Sequence, residues 1–233
     1  DAAQWMAQRA WEMREQFVVD TPSADEALQM AVAEESGPVV LMDVGDNIGG
    51  GSSADSTIIL EAAKRLGVKS YLQSLYDPEA VAVCVESGIG SRITLAVGGK
   101  TDDMHGSPVE VNGMVRVITD GIYEDPTPTH GGFRYFDGGT SVVLETEDGH
   151  TILLTSKRSM NITREQMYSA GIVPERYKVV VAKGVVSPRP AYESIASRII
   201  LVNTPGVTTS DLSFFESHRR RTPLYPFEED AMY

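Results

Sequence analysis

The sequence contains a single cysteine, so no disulfide bond can form within the chain. This scarcity is typical of a reducing compartment and predicts a cytoplasmic location. Cys84 lies in the apolar run AVAVCV, which favours a buried small side chain over a reactive thiol. No apolar run approaches the roughly 20 residues that a membrane-spanning helix needs. The start, DAAQWMAQRAWEMREQF, predicts an amphipathic helix over residues 1–17 rather than a secretory signal.

Positive charge is also scarce. Twenty lysines and arginines stand against 33 acidic residues, which gives a formal net charge of -13. Such a chain would be repelled by a phosphate backbone, so general nucleic-acid binding is excluded. The hydrophobic fraction of 42% still suffices for one large or two small globular domains. Because the first residue is not methionine, we expect the chain to be part of something longer.

Patterns for metal ligands and nucleophiles are missing as well. The four histidines are scattered, and none belongs to a recognisable metal-ligand motif. His150, in the hairpin signal EDGH, is predicted to be a solvated turn residue. His105 and His130 lie in predicted loops, where surface or turn roles are favoured. There is no G-x-S-x-G motif either. The sequence therefore predicts neither a metal site nor a catalytic residue within this chain.

Strands and helices alternate between residues 38 and 98. The apolar run 38–44 predicts a strand buried on both faces, and the strands VKSYLQSLY and SRITLAVGG follow with helices between them, which indicates a parallel sheet. From about 105 to 156, short alternating runs separated by NG, DG and GG turns predict an antiparallel meander. The strands YKVVVAK and IILVN come after it. The predicted fold class is α/β (mixed): a parallel αβ core with an inserted antiparallel β meander.

Four helix starts carry capping signals, one of them Asp77 with Pro78 at the first helical position. Ser23 with Glu26, and Thr163 with Gln166, have the spacing of a capping box. Ser52 predicts a helix that begins directly after a glycine-rich turn.

That glycine-rich turn belongs to the most distinctive segment, VVLMDVGDNIGGGSS. Gly45, Gly50 and Ser52 fit the spacing of a phosphate-binding P-loop, but Gly51 occupies the position of its lysine. Without that lysine, and with two aspartates nearby, the turn is not expected to bind phosphate. Three consecutive glycines nevertheless allow another group to approach the backbone closely.

Asp43 and Asp46 have several interpretations. They could hold a cation, a substrate amine, or backbone amides of a neighbouring segment. An equally weighted alternative is a tight strand-to-helix turn, in which Asp and Asn side chains satisfy local backbone donors.

Basic residues follow two of the predicted strands. Lys157 and Arg158 come after ILLT, and Lys183 and Arg189 follow VVVA. Ligands of open α/β sheets bind at the carboxyl ends of the strands, so these cations are candidates for contact with a ligand. The alternative, solvated charges at strand ends, is favoured for the first pair and evenly weighted for the second.

A series of segments, taken in chain order, carries a family resemblance: PVVLMDVGDNIGGGSSADST, YDPEAVAVC, LAVGGK, LLTSKR, VVVAKGVVSPRPAYESIA, ILVNTPG and RRRTPLYPFE. Together they resemble the C-terminal region of the microcystinase C (MlrC)-type metallopeptidase family. The resemblance implies a zinc-dependent hydrolase, whose namesake cleaves linear peptides left by breakdown of a cyanobacterial cyclic heptapeptide toxin. It also implies that zinc is held by an aspartate and histidines of a separate N-terminal domain, so no zinc ligand is assigned in this chain.

The same resemblance implies a domain organisation. Residues 1–35 form a helical lead-in from the absent metal-binding domain. Residues 36–205 form an MlrC C-terminal-type α/β domain with a β insertion at about 105–156, and residues 206–233 form an extended tail. The full-length protein is expected to be a metallopeptidase-like hydrolase that acts on small or linear peptides, with this chain shaping the substrate site.

The candidate site residues lie at the strand ends and in the glycine-rich turn, where we expect them to bind substrate or to support residues that do. They are Asp43, Asp46, Asn47, Gly49, Gly50, Gly51, Ser52, Lys183 and Arg189. The expected partners are the N-terminal domain of the same polypeptide and a small peptide, with no nucleic acid and no membrane; a homo-oligomer is left open. The alternative function is a stand-alone, non-catalytic domain that binds a small anion or metabolite or mediates dimerisation.

Overall fold

The computed structural model describes residues 1–17, 20–128, 130–228 and 230–232. The chain divides into two compact units, one formed by Asp1–Thr21 with Asp211–Tyr233 and the other by Pro22–Ser210. No helix within the described ranges is long and apolar enough to cross a membrane. Parts of three predicted segments lie outside the described residues: Val18 and Val19 of the lead-in, Thr129 of the insertion, and Glu229 and Tyr233 of the tail.

The smaller unit contains one amphipathic helix, α1 (Ala2–Glu12). Asp1 caps it in a capping box. A 3-10 turn at Arg14–Phe17 follows, so the prediction of one continuous helix was wrong in its last residues. Within this unit Trp11 packs edge-on against Tyr225, with ring centroids 6.0 Å apart. Aromatic pairs prefer such edge-to-face contacts, which stabilise them beyond the area they bury.

The larger unit contains ten strands in its described residues. They are β1 (Val39–Asp43), β2 (Tyr71–Tyr76), β3 (Arg92–Val97), β4 (Val109–Thr119), β5 (Ile122–Glu124), β6 (Tyr135–Asp137), β7 (Ser141–Thr146), β8 (His150–Thr155), β9 (Val179–Lys183) and β10 (Arg198–Val202). Eight of them form one sheet in the order β10-β1-β9-β2-β8-β7-β4-β3, whereas β5 and β6 form a separate hairpin.

Strand direction changes halfway across this sheet. The strands β10, β1, β9, β2 and β8 are parallel neighbours, and β8, β7, β4 and β3 are antiparallel. The predicted mixed α/β class is therefore confirmed. The predicted place of β3 in the parallel core was wrong, because β3 lies at the sheet edge and pairs with β4. Its alternating exposure fits a strand with one solvated face, which antiparallel sheets tolerate and buried parallel sheets do not.

Helices cover both faces of the sheet. A front core contains Val39 and Leu41 of β1 together with α2 (Ala24–Ala33), α3 (Ile58–Arg65) and α4 (Pro78–Ser87). A back core contains Val40 and Met42 together with α5 (Glu165–Tyr168) and α6 (Arg189–Tyr192). Successive residues of β1 thus alternate between two apolar layers, which is why its sequence reads as a continuous apolar run. Cys84 is buried in the front core as predicted.

Two of the four predicted helix starts are confirmed. Asp77 caps α4, and Pro78 is the first residue of that helix. Ser23 caps α2 through a complete capping box. The predicted box at the start of α5 was wrong, because Gln166 accepts a hydrogen bond from Asn161 at 2.7 Å instead of reaching back along the chain. The helix predicted to follow Ser52 begins only at Ile58, for a reason that lies in the candidate site.

The predicted solvated position of His150 was wrong as well. It is buried at the start of β8, where the sheet register places it opposite Tyr71. Its Nε2 lies 2.9 Å from the Val68 carbonyl oxygen, so this nitrogen carries the donated proton. Burial lowers the pKa of His150 and so favours the neutral ring. The turn signal before His150 was correct, but the residue itself already belongs to the strand.

We expect Leu41→Ala to lower the free energy of unfolding by about 2–5 kcal/mol, because it removes a fully buried side chain from the centre of the front core. Leu66→Ala makes the same chemical change at a side chain that is 37% exposed. Its cost should stay below about 1 kcal/mol. Urea denaturation of both variants measures the difference, and equal losses would contradict the central position of β1.

Candidate functional site

The carboxyl ends of the parallel strands lie at one edge of the sheet, and several candidate residues meet there. Asp43, the last residue of β1, lies opposite Lys183 in β9 and Val202 in β10. Residues paired across neighbouring strands project from the same face. Asp43 and Lys183 therefore stand side by side at the end of the front core. The loops that follow these three strands also begin at this edge, the place where open α/β sheets bind ligands.

Lys183 forms a buried ion pair with Asp46, which lies three residues beyond the end of β1. Its Nζ donates to Asp46 Oδ2 at 2.7 Å and to the Ser56 carbonyl oxygen at 3.2 Å. Lys183 is only 2% exposed, and Asp46 is fully buried. Two charges taken out of water are tolerated only when they are well paired, and removal of one partner costs about 3–5 kcal/mol. The pair therefore constrains how the chain leaves the sheet.

Asp46 also binds the backbone of the glycine-rich loop, residues 44–57. Its Oδ1 accepts a hydrogen bond from the Ala54 amide at 2.8 Å, and its Oδ2 accepts one from the Ser56 amide at 2.8 Å. Burial disfavours the charged carboxylate, but the Lys183 ammonium and the hydrogen bonds outweigh this effect and lower the pKa of Asp46 to about 2. The loop does enclose an anion, and that anion is the protein's own carboxylate.

This wrapping explains the late start of α3. To present two amides to one carboxylate, the chain turns back through Ala54, whose φ of 68° lies in the left-handed region. Such a residue cannot continue a right-handed helix. Residues 52–57 are consequently irregular, and the helix begins at Ile58.

Asp43 stands beside the ion pair without a hydrogen bond to the lysine. Its Oδ2 is 3.9 Å from Lys183 Nζ and has no hydrogen-bond partner in the described part of the chain. Its Oδ1 accepts hydrogen bonds from the Thr204 hydroxyl and, at 3.3 Å, from the Asp46 amide. Burial raises the pKa of Asp43 although Lys183 opposes this effect. One ammonium thus faces two carboxyl groups, and Asp46 holds the negative charge more firmly.

Gly45 brings the loop after β1 against the loop after β10. A Cβ atom at Gly45 would lie 2.3 Å from the Thr204 carbonyl oxygen and 2.4 Å from that of Pro205. A Cβ atom at Gly206 would lie 2.3 Å from the Gly45 carbonyl oxygen. The Gly45 amide donates to Thr204 Oγ1 at 3.0 Å, which fixes the contact. Only residues without side chains permit these two backbones to approach so closely.

His105, which lies in a third loop, packs against the contact between Gly45 and Gly206. The expectation of a surface or turn role for His105 was wrong. The side chain is fully buried. Its Nδ1 lies 2.8 Å from Asp102 Oδ1, and its Nε2 accepts a hydrogen bond from the Val207 amide at 3.3 Å. The carboxylate holds the ring proton on Nδ1, so Nε2 can accept. The sequence did contain one sign that His105 has a structural partner, namely Asp102, which lies three residues earlier in the chain. His130, in contrast, is exposed as expected.

The tip of the glycine-rich loop faces solvent. Residues Ile48–Gly50 form a 3-10 turn that Gly51 ends with a φ of 96°. Gly49, Gly50 and Gly51 are exposed, Asn47 is partly buried, and Ser52 is buried. The candidate residues of this loop therefore divide into an exposed tip, which a ligand can approach, and a buried base around Asp46.

The remaining cations have different surroundings. Arg189, on α6, is partly exposed, with its Nη1 3.9 Å from Glu193 Oε1. Lys183, and not Arg189, thus pairs with the aspartates. Arg158 lies in the loop that follows β8 (residues 156–161), and its Nε donates to the Ser53 carbonyl oxygen at 3.1 Å. Arg158 therefore contacts the glycine-rich loop, which places a second cation, besides Lys183, at the candidate site.

The zinc implied by the family resemblance does not fit the residues of this chain. In the ranges that the structure describes, no three histidine, cysteine or acidic side chains form a group that could hold a metal ion. Asp43 and Asp46 are two acidic residues of the candidate site. The Asp46 oxygens, however, already bind Lys183 and two backbone amides. A divalent cation would have to displace a buried ammonium from the same oxygens. No metal chemistry is therefore assigned to these side chains.

Comparison with known proteins identifies a matching family and relatives that are similar in sequence or in fold. Residues 41–219 match the family model described as MlrC C-terminus. Microcystinase C from Sphingomonas sp. is 28% identical over 202 residues, which cover 86% of this chain and 38% of that protein. A crystal structure described as "Putative metallopeptidase from MESORHIZOBIUM SP. BNC1" is similar with a TM-score of 0.83 and 27% identity, covering 96% of this chain and 44% of that one. The chain thus spans less than half the length of either relative.

We expect Gly45→Ala to destabilise the protein by about 1–3 kcal/mol or more, because the new methyl group would meet two backbone carbonyl oxygens. Gly49→Ala is the matched control. Its Cβ would meet only Asn47 Oδ1, at 3.5 Å, so the change should stay within about 0.5 kcal/mol. Chemical denaturation of both variants compares them, and a well-tolerated Gly45→Ala would rule out the close backbone contact.

The Asp46 carboxylate predicts a pH-dependent contribution to stability. Its pKa of about 2 in the folded protein lies below the ordinary value of 3.8. Its ionised form therefore stabilises the fold above about pH 4, and this contribution is lost as the pH falls toward about 2. The difference in unfolding free energy between wild type and Asp46→Asn should shrink by on the order of 2 kcal/mol across that window. Urea titrations at each pH test this, and a difference independent of pH would refute it.

Proposed function

The chain belongs to the MlrC C-terminus family, and from this premise we propose that it forms the C-terminal, substrate-shaping part of a zinc-dependent hydrolase that acts on small or linear peptides. One observation carries the proposal: the loops from the carboxyl ends of β1, β9 and β10 meet around a buried ion pair, and they leave an exposed glycine tip at the edge where such sheets bind ligands. The family match and the two relatives support it.

In this proposal the candidate residues have two roles. Asp43, Asp46 and Lys183 are buried and hold the loop in place without touching the substrate. The exposed glycines at positions 49–51 let a peptide approach the backbone closely, and the partly buried Asn47 supplies an amide beside them. Lys183 is thereby an anchor for the loop instead of a ligand-binding cation, which was one of its two evenly weighted interpretations.

The zinc and its ligands are proposed to lie in an N-terminal domain of the same polypeptide. Support comes from the relatives, which are both more than twice as long as the aligned part of this chain. Residues 1–35 would lead in from that domain, residues 36–205 would form the substrate-shaping domain, and residues 206–233 would form the tail. When bound, zinc would activate the water that attacks the peptide bond. We further propose a cytoplasmic location, as the single cysteine indicates.

The test compares the full-length protein with this chain alone. The full-length protein should hydrolyse linear peptides, lose the activity after exhaustive chelation and regain it with added zinc. The isolated chain should show no turnover under any of these conditions, because no group of side chains in its described ranges fits a zinc site. Peptide hydrolysis by the metal-free chain would contradict the proposal. A full-length protein without peptidase activity that binds a small anion would instead support the non-catalytic alternative.

A further inference from the structure

Arg158 is oriented by two contacts at the carboxyl end of β8. Its Nε donates to the Ser53 carbonyl oxygen at 3.1 Å, and its guanidinium carbon lies 5.2 Å from the centroid of the Tyr76 ring. Tyr76 ends β2, the strand beside β8. A planar guanidinium held by one hydrogen bond and an aromatic face loses little freedom when it binds a further group. Arg158 is exposed, and its hydrogen bond to Ser53 uses Nε, which leaves the two terminal nitrogens as further donors.

Arg158 differs from its neighbours in having no acidic partner. Lys183 pairs with Asp46, Lys157 with Asp137, Lys100 with Asp77, and Arg189 approaches Glu193. Throughout the described ranges, no carboxylate lies within ion-pair distance of Arg158 (4.0 Å). Arg158 is therefore an exposed cation that remains available to an anionic ligand, in a chain whose net charge is -13.

The position of Arg158 is tied to the glycine-rich loop. Ser53, whose carbonyl accepts from Arg158, precedes Ala54, whose amide binds Asp46. The buried ion pair therefore fixes the positions of both the exposed glycine tip and the Arg158 guanidinium. The same buried ion pair thus holds two elements that a binding site needs. One is a backbone without side chains, and the other is an oriented cation.

We propose that Arg158 binds a carboxylate of the peptide substrate, with its Nη1 and Nη2 directed at the two carboxylate oxygens. The chemical class is a linear peptide with a free C-terminal carboxylate. Arginine suits this role because its fork of donors matches the two oxygens of a carboxylate. The inference rests on the proposed function, and it assigns to Arg158 a ligand contact for which Lys183 and Arg189 were also candidates.

The kinetic test uses the full-length protein and one linear peptide in two forms, with a free C-terminal carboxylate and with a C-terminal amide. Wild type should prefer the acid. Arg158→Gln should lower kcat/KM for the acid by about 10- to 100-fold and leave the amide nearly unchanged, since a charge-assisted hydrogen bond is lost. Arg158→Lys should recover part of the preference. Lys157→Gln, at an exposed cation already paired with Asp137, is the matched control and should keep it.

The alternative is that Arg158 pairs with an acidic side chain elsewhere in the full-length protein and not with the substrate. In that case Arg158→Gln would lower the melting temperature and reduce turnover of acid and amide equally, which would overturn the proposal. Absence of an acid preference in wild type would overturn it too.

A binding measurement separates this inference from the peptidase proposal. Calorimetric titration of the metal-free full-length protein with N-acetyl-Gly-Gly and with its amide needs no turnover. Binding of the acid alone, lost in Arg158→Gln and kept in Lys157→Gln, would support the carboxylate site even if no peptide is hydrolysed. Equal binding of acid and amide, equal binding by wild type and Arg158→Gln, or no binding of either compound would overturn the carboxylate site even if the protein is a peptidase.

Discussion

The arrangement at the sheet edge depends on one buried interaction, the ion pair between Lys183 and Asp46. Both groups are removed from water, so neither can lose its partner without a large cost in free energy. Asp46 at the same time accepts two amides from the glycine-rich loop, which makes the path of that loop part of the charge compensation. A segment rich in glycine would otherwise have much conformational freedom. Here its base is held by charge while its tip remains accessible.

Close backbone contacts extend this constraint to neighbouring loops. Gly45 and Gly206 meet without side chains, the Thr204 hydroxyl bridges the Gly45 amide and Asp43, and buried His105 adds a third segment. Three loops that are distant in the sequence are thereby locked into one support. A rigid support of this kind is what a substrate-shaping domain requires, because binding groups must be held in position before the substrate arrives.

Much of the fold could be predicted from local signals, and the exceptions have physical reasons. The Ser23 capping box, the buried run of β1 and the antiparallel meander depend on neighbouring residues, so the sequence shows them directly. The start of α3 could not be read in this way, because the amides after Ser52 bind Asp46 instead of a capping side chain. The edge position of β3 was visible in its alternation, but the general α/β pattern concealed it.

The sequence by itself determined the fold class, the family, the exclusion of a phosphate-binding loop and the importance of the segment around Asp43 and Asp46. The family follows from the resemblance of a series of segments, and the other conclusions rest on residue types and short spacings; none of them needs knowledge of which distant residues pair. Only the tertiary structure decided that Asp46 pairs with Lys183, 137 positions away, and that Arg158 has no acidic partner among the described residues. Such pairings follow from the register of strands and the loops after them, because parallel neighbours bring together residues that the chain separates widely.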